Sequence, residues 1–195
     1  MRFSNLLAAG IVLLTASASL AQTPSYTNVG RTPTKEEIQA WDIAAGPDGK
    51  GLPPGHGTAK EGAPIYATKC ASCHGPAGEG TPLGRRLVGS KADMWTLTTV
   101  QPLITIGSYW PFATTIWDYI NRAMPRNQGG SLNANEVYAL TAFILSKCGI
   151  IQEGDVVDAK TLPKVQMPNH NGFIPQRFED IPDERKRGCR LGTCP

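Results

Sequence analysis

Cys70-Ala71-Ser72-Cys73-His74, CASCH in one-letter code, sets two thiols and an imidazole within five residues, and its reading decides the fold. Two cysteines at this spacing can be a redox dithiol or half of a zinc site. A histidine directly after the second cysteine points instead to covalent haem attachment. The thiols are spaced to meet two vinyl groups, and the imidazole lies where it can ligate the iron. Zinc would need two further ligands at similar spacing, yet the other cysteines are isolated at 148, 189 and 194. A thioredoxin-type dithiol follows a strand in a βαβ unit, and no such pattern is present. A Cys70–Cys73 disulfide suits an oxidising compartment but leaves His74 without a task. The motif therefore predicts one c-type haem, held covalently by Cys70 and Cys73, with His74 as proximal ligand.

The N-terminus gives the compartment. Arg2 precedes an apolar run from Leu6 to Leu14, and small residues follow up to Ser19-Leu20-Ala21. That order predicts a secretory signal peptide over residues 1–21, cut before Gln22, and a periplasmic mature protein. A membrane anchor would need about 20 strongly apolar residues, and Thr15, Ser17 and Ser19 interrupt this run. No later segment is long and apolar enough to span a bilayer. Removing 21 residues from 195 leaves 174, enough for one domain with extensions. A net charge of +3 and no cationic stripe interleaved with aromatics argue against nucleic acid. The one basic cluster, Arg185, Lys186, Arg187 and Arg190, reads as a solvated tail.

Working outward from the motif, three helices are expected. Glu61 to about Cys70 leads into CASCH. Phe112 to about Arg122 follows Pro111 and presents Ile116, Trp117 and Ile120. Asn133 to about Cys148 has an Asn133/Glu136 cap, a face of Val137, Leu140, Ile144 and Cys148, and Gly149 as its stop. A shorter helix should begin at Thr34, where Glu37 completes a capping box and Ile38 and Trp41 follow. With no strand-like alternation, the plan is all-α. A helical domain over 61–149 sits between loop-rich extensions over 22–60 and 150–195. The first contains GPDGKGLPPGHG at 46–57 and the second five prolines, expected to wrap the surface.

An electron carrier needs a second axial ligand, and a methionine thioether raises the potential. Met124 lies in NRAMPRNQGG just before the last helix, where Pro125 fixes its own φ and restricts Met124. Met167, in VQMPNHNG, is the second candidate. Met94, beside Trp95, reads as packing, and His56 and His170 as solvated loop residues.

These residues together resemble a class I c-type cytochrome over 61–149, with CASCHG and a later AMP before the final helix. TKEEIQAWDI, GKGLPPGHG, YWPFATTIWDYINRAMP, NEVYALTAFIL and DAKTLPKVQMPN further resemble the cytochrome subunit of sulfane (sulfite) dehydrogenase from sulfur-oxidising bacteria. That resemblance implies a cytochrome c-like helical haem domain and electron transport in sulfur oxidation. It implies a molybdenum-containing catalytic subunit as electron donor and a small cytochrome c or similar acceptor. Cys70 and Cys73 would hold the haem, and His74 and Met124 would ligate the iron. Some relatives carry two haem domains, whereas this chain has a single CxxCH. A haem enzyme, of thiosulfate-oxidising or peroxidase type, is the competing class. Cys189 and Cys194 are expected to pair locally, leaving Cys148 a buried, inert thiol.

Overall fold

The computed structural model describes residues 29–174. The expected signal peptide, the basic cluster and the expected pairing of Cys189 with Cys194 lie outside the described residues.

The described residues up to Ala40 belong to one unit and those from Trp41 to another. Helix α1 (Lys35–Trp41), which ends at that boundary, starts where its capping box demands. Thr34 N–H donates to the Glu37 carboxylate at 2.8 Å, and Glu37 N–H returns to Thr34 Oγ1 at 3.2 Å. Arg31 pairs with the same carboxylate and holds its pKa below the ordinary value. None of the residues of α1 is buried.

The second unit is built around two helices that cross in contact. Helix α2 (Ala59–Lys69) begins two residues before the expected Glu61. Its cap is Thr58, whose Oγ1 accepts from Glu61 N at 3.3 Å while Glu61 takes the Thr58 N–H at 2.8 Å. Helix α6 (Ala134–Lys147) is capped by Asn133 and Glu136 and stops at Gly149, whose φ of 69° suits glycine. Every residue from Val137 to Leu145 in α6 is buried. A helix apolar all round must be enclosed, and α2, helix α5 (Ala113–Ala123) and the short antiparallel strands β1 (His56–Gly57) and β2 (Val157–Asp158) all pack on it. The α2–α6 approach is set by Gly62: a Cβ there would stand 2.0 Å from the Ala139 carbonyl oxygen. The rings of Tyr66 and Phe143 meet beside it at 4.7 Å.

Helix α5 starts one residue later than expected. Phe112, not Pro111, is its N-cap, because the residue before a proline is pushed extended and the chain needs one more residue to enter the helix. Trp110, at ψ 129°, shows that restriction. A 3₁₀ helix (Lys91–Thr98) and one short turn, α4 (Ile106–Tyr109), fill the stretch before it. The architecture is the expected all-α cytochrome c-like domain, with one two-residue strand pair added.

The flanking segments are loop-rich but engaged. Ala45 N–H donates to Asp118 at 2.8 Å, Tyr138 Oη to Pro53 O at 2.9 Å, and His56 N–H to Asn135 at 2.9 Å. Beyond α6, Val157, Leu162 and Met167 are buried in the core with Trp117, Tyr138 and Leu140. The segment expected to lie over the surface therefore supplies interior side chains as well.

Candidate functional site

CASCH sits at the exit of α2. Cys70 is both the end cap of α2 and the start of the four-residue turn α3 (Ala71–His74). Cys73 N–H and His74 N–H both bond back to Cys70 O, at 3.1 and 3.0 Å. One helical turn thus carries both thiols, with Gly75 (φ 81°) ending it. Cys70 and Cys73 are half-buried and unbridged. Burial pushes the Cys70 thiol up to about 11, so it stays protonated at neutral pH.

The imidazole is held by backbone. His74 Nδ1 lies 2.8 Å from Arg85 O. A carbonyl oxygen only accepts, so Nδ1 must carry the proton, and the Nε2 lone pair is left for a metal. Such a bond fixes the ring's orientation and raises its basicity as a ligand. The loop that delivers Arg85 is itself tied to the motif. Thr81 Oγ1 donates to Cys73 O at 2.5 Å, and Gly80 N–H to His74 O at 2.7 Å. A Cβ on Gly84 would meet Cys73 O at 2.6 Å and His74 Nδ1 at 3.1 Å. Nothing in the loop's composition flagged these partners, because they act through backbone atoms. The tight Thr81–Gly84 turn was the available signal.

Met124 caps the C-terminus of α5, its N–H bonded to Ile120 O at 3.1 Å. Its backbone is extended, at φ −122° and ψ 146°, as a following proline requires. Its side chain is half-buried against the same core as Cys70 and Ala71. Met167 is buried, 3% exposed, inside that core. Met94 is half-buried and lines a cavity with residues 166–172. His170 Nδ1 donates to Pro111 O at 3.3 Å, and its ring stands edge-on to Phe112. His56 is exposed in β1. Cys148 is buried, which raises its pKa and keeps it an unreactive thiol.

The donor set tests well against haem c. Two half-buried thiols stand on one turn beside an imidazole whose Nδ1 is engaged by Arg85 O, leaving Nε2 to face a metal. A thioether follows on a proline-restricted loop. Each is a donor that the group needs.

Comparison with known proteins gives the class. Residues 57–144 match the family described as cytochrome C oxidase, cbb3-type, subunit III, and the chain belongs to the c-type cytochromes. Among solved structures it is similar to a chain of the sulfane dehydrogenase SoxCD from Paracoccus pantotrophus. The identity is 36%, the TM-score is 0.72, and the match covers 87% of this chain and 82% of that one. No curated protein matches. The chain is thus a haem protein of electron transfer, and among the described residues no helix is long and apolar enough to cross a membrane.

Proposed function

We propose that the chain is an exported, periplasmic cytochrome with a single, covalently attached haem c. It would carry electrons from a molybdenum-containing sulfite or sulfane dehydrogenase subunit to an acceptor such as a small cytochrome c. The observation that carries this reading is the 2.8 Å contact from His74 Nδ1 to Arg85 O, which prepares Nε2 as a ligand one residue beyond the second thiol. Cys70 and Cys73 form the two thioethers. His74 and Met124 would hold the iron, and the group when bound would supply a one-electron couple.

The chain's own task is to keep that coordination fixed between oxidation states. Arg85 O holds the imidazole plane. Ile120 O and Pro125 restrict the backbone that presents Met124. Burial of Met167 among Leu162, Val157 and Trp117 supports its role as packing. The sulfur-oxidising assignment is supported by a likeness that extends beyond 57–144, over 87% of the chain.

The intact mass of the exported protein should equal the chain from Gln22 plus one haem. Haem removed by acid–acetone would reject thioether attachment. In stopped flow, the oxidised protein should be reduced by the molybdenum enzyme with its sulfur substrate and not by substrate alone. Reduction by an unrelated dehydrogenase only would sink the donor assignment and leave a general carrier.

A further inference from the structure

We propose that the turn Thr81–Gly84, with Leu83 at its tip and Arg85 and Arg86 behind it, is the point at which a redox partner docks. The partner is a protein that presents an apolar patch rimmed with carboxylates. The proposal rests on the electron-transfer reading above.

A single exposed leucine means little by itself. Leu83 is 74% exposed, and its position is what matters. The turn closes on itself, with Thr81 N–H to Gly84 O at 2.9 Å and Gly84 N–H to Thr81 O at 3.3 Å. It is then fastened to CASCH at three points: Thr81 Oγ1 on Cys73 O, Gly80 N–H on His74 O, and His74 Nδ1–H on Arg85 O. At Gly84 the backbone runs so close to Cys73 and His74 that a methyl group would not fit. One hydrogen bond and two residues, Arg85 and Gly84, therefore join the imidazole to an exposed apolar side chain. Other exposed apolar residues, such as Trp95 and Val100, have no such link to the motif.

Rigidity lowers the ordering cost of docking. Pro82 and Leu83 are both exposed, as are Arg85 and Arg86. Arg85 makes no ion pair among the described residues. The one acid of this loop, Glu79, turns its carboxylate to Ala77 N–H at 2.8 Å. An apolar tip backed by unpaired positive charge is complementary to an apolar patch ringed by carboxylates, and the charges would steer encounter. In the exchange one electron leaves the reduced protein and reduces the partner's oxidised metal centre. No bond is made or broken, and no proton moves.

The test uses the haem-loaded protein and an acidic blue-copper protein with an exposed apolar patch. Its cadmium-substituted form serves for binding, so that no electron moves. Titrated into isotope-labelled cytochrome, it should shift the amides of Thr81–Arg86 most. Leu83→Glu and Arg85→Glu should each weaken binding about tenfold or more, as loss of an apolar anchor or reversal of a steering charge does. Lys60→Glu, at the end of α2 away from Cys70, should stay within about twofold, because rim charges distant from a contact are screened. Leu83→Glu touches none of the groups that hold His74, so its haem spectrum and its reduction by dithionite should not change. Electron transfer to the native copper protein should fall in parallel with binding. Shifts clustered on another face would overturn the proposal. So would parent-like binding by both variants. An unmodified protein without a six-coordinate haem spectrum would instead overturn the electron-transfer reading.

Discussion

Gly62→Ala tests the helix crossing on which the site stands. The new Cβ would lie 2.0 Å from Ala139 O, 2.6 Å from Ala139 C and 2.9 Å from Phe143 Cβ. Carbon and carbonyl oxygen settle at about 3.3 Å or more, so α2 and α6 must part by roughly 1 Å. A gap of that size forfeits about a quarter to a half of each dispersion contact along the seam. Overpacking of this kind costs about 1–3 kcal/mol, and loosening the Tyr66–Phe143 pair adds about 0.5–1.5 kcal/mol. Alanine's better helix propensity returns about 1 kcal/mol. The net loss is therefore about 2 kcal/mol, or about 4–8 °C in Tm for a chain of this size. The assay is urea unfolding of the haem-loaded protein by far-ultraviolet circular dichroism, read as a fall in midpoint at constant slope. Gly154→Ala is the control, since nothing lies within 4 Å of its Cβ position, and it should change stability by less than about 0.5 kcal/mol. If Gly62→Ala is as stable as the parent, the helices do not meet through backbone and the packing argument fails.

Three other outcomes are expected. Met124→Ala should abolish the near-infrared methionine–iron band and lower the reduction potential, whereas Met167→Ala should keep the band and lose about 2–5 kcal/mol of stability as a core truncation. The reverse pattern in spectra would exchange the two roles. Thr58→Ala should cost about 1 kcal/mol by removing the α2 cap, measurable in the same urea assay, and Thr58→Ser should restore most of it. Burial pushes the Tyr66 phenol up to about 12, so above pH 10 the folded chain holds a proton that the unfolded chain has lost. Stability should then fall as pH rises from about 10 to 12, and Tyr66→Phe should flatten that limb of a urea-midpoint profile.

The sequence announced its helices wherever cap and periodicity agreed. Asn133, Glu136 and Gly149 bound α6 as their chemistry dictates, and Thr34 with Glu37 does so for α1. The start of α2 was equally legible in Thr58-x-x-Glu61, although the apolar pattern drew the boundary two residues late. The four residues of α4 make a single turn, which shows one repeat at most, and the 3₁₀ helix buries none of its residues and so carries no apolar face to read. The burial of Val157, Leu162 and Met167 was hidden for another reason. Isolated apolar residues among prolines resemble a surface strap, and only tertiary contact with α6 and Trp117 makes them core. At the candidate site, CASCH and AMP stand out in the sequence because side chains would do the work there. Arg85 O, Gly80 N–H and the clearance at Gly84 do not, because any residue has a carbonyl and only the path of the chain selects which one faces His74.

The position of α2 against α6 also sets an order of assembly. Chains emerge N-terminus first, so CASCH is delivered well before Ala134–Lys147, the helix that α2 packs on. The strand partner Val157 and the plugs Leu162 and Met167 come later still. Until they arrive, α2 has almost nothing to bury itself against, and an isolated helix of this length is marginal in water. On the proposed function, the two thiols would stand on an open thread throughout that interval, within reach of an attaching enzyme before the last helix packs.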